Sequence, residues 1–213
     1  MASRISHTKM ARSVRDMAAQ IRAMPGLEFR RFTTDDYHRI GEAGVFRDHE
    51  RVELLDGFLI DMPPIGPRHE DVLFTLVDHL KRALASRAVI RTNSPIALSA
   101  NSEPQPDAMV LKGPKTRYRD RLPRPADVLL LIEVAESSRL SDRGPKAHAY
   151  AAARIEELWI VDLVAADVLV HREPAASGYA RTAVLRRGDR ISPARFPEVA
   201  LEVSAFLSAA DTP

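Results

Sequence analysis

The chain has 213 residues, 45% of them hydrophobic, with Lys+Arg 31 set against Asp+Glu 29 for a formal charge of +2. That is enough apolar material for one sizeable core. The absence of cysteine excludes disulfide frameworks, thiolate zinc sites and cysteine nucleophiles, and a pI of 9.1 permits a polyanionic partner without demanding one. No apolar stretch approaches the roughly 18 residues that span a bilayer, and the N-terminus shows no signal-peptide core. The expectation is a cytoplasmic chain with no membrane partner.

In chain order, residues 1–28 carry Arg4, Lys9, Arg12, Arg15 and Arg22 against Asp16 and Glu28. This reads as a basic arm or loosely docked helix, either a solvated terminus or a contact for nucleic acid or a second subunit. Residues 29–213 are expected to form a single domain. Thr33-Thr34-Asp35-Asp36 reads as a helix start, with a threonine N-cap and acids in the first turn. Val52–Leu55, Asp56-Gly57 and Phe58–Met62 form the strongest hairpin signal, because Asp-Gly supplies the positive φ angles of a tight turn. After Pro63-Pro64 and Gly66-Pro67, the recurrence of Val72, Leu73, Leu76, Val77, Leu80 and Leu84 predicts a long amphipathic helix opened by His69.

Val89–Leu98, Pro106–Leu111 and Val128–Ala135 follow as strands, the last apolar on both faces and therefore central. Pro145–Ala153 reads as a helix with proline in its first turn, Leu158–Leu163 as a strand, Val168–Arg172 with Tyr179–Leu185 as a hairpin, and Val199–Leu207 as a closing short helix. The two acidic residues Asp107 and Glu133 sit at the start and end of adjacent strands. Paired antiparallel, at a strand spacing of roughly 4.8 Å, their carboxylates can share one hard cation. A turn-ending aspartate and an arginine-paired strand-end glutamate are the structural alternatives. Glu103 and Gln105 share strand parity with Asp107 and so become candidate cleft-lining residues. Tyr150 and Trp159 fit core or interface packing. The basic run Lys112, Lys115, Arg117, Arg119, Arg121 and Arg124 lies at the closed end of the same hairpin, on the order of 17 to 20 Å from the acids. It is either a solvated loop or a grip for flanking phosphates or a partner subunit. There is no P-loop or dinucleotide glycine pattern and no Gly-x-Ser-x-Gly elbow.

The ordered set Glu53-Leu54-Leu55-Asp56-Gly57, Pro64 to His69, Pro106-Asp107, Ile132-Glu133-Val134, Asp142-Arg143-Gly144-Pro145-Lys146 and Glu157-Leu158-Trp159-Ile160-Val161-Asp162 resembles the Uma2-type restriction endonucleases of the PD-(D/E)XK nuclease superfamily. The resemblance covers about Arg51 to Phe206. It implies an α/β fold with a restriction-endonuclease-like core, a central mixed β-sheet flanked by helices, and extra β-hairpins. It also implies a Mg²⁺-dependent endonuclease acting on DNA, with Mn²⁺ as a substitute ion and a homodimer as the assembly, since double-strand cleavage needs two sites. Asp107, Glu133 and the main-chain carbonyl of Val134 would be metal ligands, Glu53 a third acid able to hold a second metal, and His69 a residue facing the site. The superfamily lysine is expected two residues after the second acid, where this chain has Ala135. Lys146 is its replacement in the Uma2 pattern, able to orient the attacking water or help deprotonate it. An ordinary surface position for Lys146, and an exposed hairpin face for Glu53, are the competing placements. Ala135 also sustains a rival expectation: a non-catalytic nucleic-acid-binding or assembly module on a degenerate nuclease scaffold.

Overall fold

The computed structural model describes residues 30–47, 50–136 and 142–207, with only the main chain of 142 and 143. The chain divides into two units, Met1–Arg31 and Phe32–Pro213. The basic arm expected at 1–28 lies outside the described residues, and the second unit carries the fold.

A short helix, α1 (Thr34–Glu42), is closed by a reciprocal cap: Thr33 Oγ1 accepts from Asp36 N at 3.1 Å, and Asp36 Oδ2 accepts from Thr33 N at 3.0 Å. Strands β1 (Val52–Leu55) and β2 (Phe58–Asp61) pair antiparallel around Asp56 (φ 49) and Gly57 (φ 76). Both turn residues are left-handed, as the Asp-Gly dipeptide requires. The long helix α2 (Pro67–Leu84) buries His69 and the apolar stripe Val72, Leu73, Leu76, Val77, Leu80 and Leu84.

Six strands make the main sheet: β3 (Ala88–Thr92), β4 (Ala108–Lys112), β5 (Val128–Ala135), β6 (Glu157–Asp162), β7 (Asp167–Ala175) and β8 (Gly178–Arg186), in that spatial order. All neighbours are antiparallel except β5 and β6. That parallel step is made by a π turn (Asp142–Lys146) running into helix α3 (Ala147–Ala152), the crossover a parallel pair needs. A small pair, β9 (Arg190–Ile191) with β10 (Leu201–Glu202), closes the domain. Among the described residues no helix is long and apolar enough to cross a membrane.

Two expected elements differ. The strand predicted to reach Leu98 ends at Thr92, because Asn93 is left-handed (φ 45) and Pro95 has no N–H to donate. The closing segment forms β10 and one 3₁₀ turn, Val203–Ala205.

The period of two along β5 sorts the core. Leu130, Ile132 and Val134 join the apolar cluster that includes α2, whereas Leu131 and Ala135 join the cluster that includes Ala147, Ala149 and Tyr150 of α3. Glu133, between Leu131 and Ala135, therefore falls on the α3 face. Ala135 is 1% exposed in that cluster, and the ammonium beside Glu133 comes instead from Lys146 at the end of the π turn.

Candidate active site

The β4–β5 register, Ala108 opposite Ile132, sets Asp107 beside the carboxyl end of β5. There the Asp107 carboxylate continues the ladder as a side chain: Val134 N donates to Asp107 Oδ2 at 2.7 Å. A strand residue directs its N–H and its C=O to the same neighbour, so the Val134 carbonyl also faces this edge. His69, from the first turn of α2, brings Nε2 within 3.1 Å of the same Oδ2. Burial would lower the His69 pKa, but its hydrogen bond to Asp107 and the charge there outweigh burial and raise it. His69 Nδ1 is buried with no hydrogen-bond partner among the described residues.

Glu133 is 5% exposed and has two donors on Oε1, the Tyr150 hydroxyl at 2.7 Å and Lys146 Nζ at 3.5 Å. Lys146 Nζ also lies 3.1 Å from Glu53 Oε1, and Glu53 Oε2 accepts from Gln105 N at 3.1 Å. Lys146 thus bridges the β1 acid and the β5 acid from the far side of the cavity. Burial opposes its charge, yet Glu133 and Glu53 together raise its pKa, so it remains an ammonium. Burial pushes the Glu133 carboxyl up to about 8, with Lys146 opposing and Asp107 adding to the rise. The Tyr150 hydroxyl, buried against Glu133, is raised well above its ordinary value.

Asp107, Glu133, Val134, Lys146, Glu53 and His69 line a cavity of about 510 Å³ that also takes in Glu136, Arg51 and the segment Ile60–Ile65. Glu136 follows β5 and rests against Gly66 at the start of α2, so closely that a Cβ on residue 66 would overlap its carboxylate. The structure therefore brings Asp107, Glu133, Val134, Lys146, Glu53 and His69 together.

Two expected cleft residues are elsewhere. Glu103 holds His38 Nε2 at 2.9 Å, and Gln105 reaches the site only through its main-chain N–H. Pro104 and Pro106 interrupt the strand before β4, so parity does not carry back to these positions. Glu53 also has a more specific place than a free third acid: Lys146 takes one oxygen and Gln105 N–H the other. Among the described residues, no group of three or more His, Cys, Asp or Glu converges well enough to hold an ion. Tyr150 and Glu136 were not legible as site residues. The signal for Tyr150 was its spacing, four residues after Lys146 and so on the same helical face.

A family model described as "Uma2: Putative restriction endonuclease" matches residues 34–204. The chain belongs to the Uma2 family. Among solved structures, a "putative nuclease belonging to DUF820 from Anabaena variabilis" is similar to this Uma2 chain with a TM-score of 0.66 and 14% identity, over 83% of this chain and 98% of that one. That likeness is one of fold. No curated protein matches the chain.

The basic run of this Uma2 chain is a folded corner at the other end of the hairpin. Asp127 accepts from Arg121 Nη1 and Nη2 at 2.7 and 3.2 Å and from Arg124 N at 3.0 Å. Lys112 Nζ donates to Ala126 O at 2.7 Å, and the guanidinium of Arg121 stands 5.3 Å from the Tyr118 ring centre. None of these residues lines the acid cavity.

Proposed function

We propose that this chain is a Mg²⁺-dependent phosphodiester hydrolase acting on DNA, with Mn²⁺ able to substitute, working in the cytoplasm. The observation that carries the reading is the pairing of Asp107 and Glu133 next to a charged, buried Lys146. The donor set fits a hard cation. Asp107 Oδ1 and Glu133 Oε2 form no hydrogen bond among the described residues, and with the Val134 carbonyl they offer oxygen ligands only. When bound, the ion would supply Lewis-acid activation of water and stabilisation of phosphoryl charge.

The protein's own groups do the rest. Val134 N–H and His69 fix one Asp107 oxygen, which leaves the other facing the cavity. Tyr150 fixes one Glu133 oxygen in the same way. Lys146 keeps its proton, so its part is to orient the attacking water and offset charge growing on the phosphoryl oxygens rather than to act as the base. Glu53 holds Lys146 in line. The rival non-catalytic reading rests on Ala135, and a lysine reaching Glu133 and Glu53 from the end of the π turn weighs against it.

The test is incubation of the purified protein with DNA and RNA panels plus Mg²⁺ or Mn²⁺, alongside Asp107→Ala. The wild type is expected to cut DNA and the variant to be silent. Cleavage by both proteins, or by neither across the panel, overturns the reading.

A further inference from the structure

We infer that the acid cavity takes an unpaired nucleotide, so that the preferred substrate is a single strand or the unpaired arm of a duplex, not continuous double helix. This rests on the hydrolase reading above and adds what the cavity selects.

Three observations carry it. First, part of the lining is apolar: Ile60, Met62, Pro63, Pro64 and Ile65 line the same space as Asp107 and Glu133. Ile60 and Ile65 are 37% and 38% exposed, two of the six large hydrophobic side chains that stand out in solvent among the described residues. Apolar side chains lining the same cavity as a carboxylate pair have no use for phosphate or sugar, but they match the face of an unstacked base, which a double helix keeps hidden inside. Second, the cavity is of limited size. At about 510 Å³ it lies within the roughly 300–1,000 Å³ range of sites that enclose one small molecule. Third, its charge is wrong for a duplex. Glu53, Asp61, Asp107, Glu133 and Glu136 line it against two cations, Lys146 and Arg51. A surface that holds double helix is a broad basic face meeting many phosphates, whereas this one admits few.

Lys146 is occupied by the acids. The Arg51 guanidinium forms no hydrogen bond or ion pair among the described residues, and Arg51 lines the same cavity as Ile60 and Ile65. It is placed to meet the phosphate next to the one being cut, while the Ile60–Ile65 wall receives the base.

The experiment offers the wild type, Ile65→Asp and Arg51→Gln three substrates of one sequence with Mg²⁺: a single strand, a blunt duplex, and a duplex with a five-nucleotide unpaired arm. A 2-aminopurine in the unpaired portion reports by a rise in emission when that base leaves its neighbours. Cleavage is expected in the single strand and in the arm, at least about 100-fold faster than in the blunt duplex. Both variants are expected to raise KM for the single strand roughly tenfold at nearly unchanged kcat, with Ile65→Asp also losing the emission change. Internal cutting of the blunt duplex at a similar rate would overturn the inference and leave the hydrolase reading standing. If no substrate is cut, the hydrolase reading fails, and the emission change decides this inference alone. A rise lost in Ile65→Asp supports it, and no rise with the wild type overturns it.

Discussion

The two ends of the β4–β5 hairpin both gather charge, and they handle it in opposite ways. At the open end Asp107, Glu133, Glu53 and Lys146 are all less than 10% exposed, and burial pushes the Glu133 carboxyl up to about 8. At the closed end Asp127 is also shielded, yet its carboxyl is held below the ordinary range, first by the Arg121 hydrogen bonds and then, against burial, by the Arg124 N–H. The closed end pairs its one shielded carboxylate with Arg121 and Arg117, whose side chains stand partly in water. The open end packs acids together around a single ammonium and leaves carboxylate oxygens without donors. The first arrangement stabilises a turn; the second crowds carboxyl groups around one ammonium, a crowding that a bound divalent cation would relieve.

That contrast can be broken from either side. The largest effect is expected from Glu133→Gln, which removes an anionic ligand while keeping the Tyr150 contact in reach. Cleavage should fall by about 10³-fold or more, with a near-normal circular dichroism spectrum. Lys146→Met should lower cleavage by about 10²- to 10³-fold, and chemical denaturation should show a loss of about 3 to 5 kcal/mol, because two buried acids lose their shared partner. Tyr150→Phe removes one of the two donors on Glu133 Oε1. Mn²⁺ affinity measured by calorimetry should weaken by roughly 10- to 100-fold while the fold remains intact.

At the closed end, Asp127→Asn should leave cleavage within about twofold and reduce stability by about 1 to 3 kcal/mol at neutral pH. Its sign with pH follows from the depressed carboxyl. The stabilisation is present above the unfolded value near about 4 and is lost as pH falls through the lower folded value. The gap between wild type and Asp127→Asn in denaturant midpoints should therefore close in acid. A gap that widens in acid would contradict the Arg121 clamp.

How much of this was legible beforehand divides along the same physical lines. The β1–β2 hairpin, the α2 stripe and the two acidic strands were readable because period and turn chemistry are local. The adjacency of Asp107 and Glu133 followed from one antiparallel pairing. Tyr150 fits core or interface packing by sequence, and it is fully buried, but its hydroxyl needs a partner there and finds Glu133. Glu103 failed for a local reason, two prolines that end strand parity. The partners of Glu53 were beyond reach of any pattern. Its position depends on the irregular 99–105 segment, where Glu103 N donates to Leu54 O at 2.8 Å and so sets Gln105 N against the Glu53 carboxylate.

The central claim is that the open end of the hairpin holds a divalent ion. Anomalous diffraction from crystals soaked in Mn²⁺ tests it most directly. The account predicts a single strong peak within roughly 2.0 to 2.3 Å of one Asp107 oxygen, one Glu133 oxygen and the Val134 carbonyl, with Lys146 still beside Glu53. Soaked crystals with no peak there, or with manganese bound only elsewhere, would contradict it.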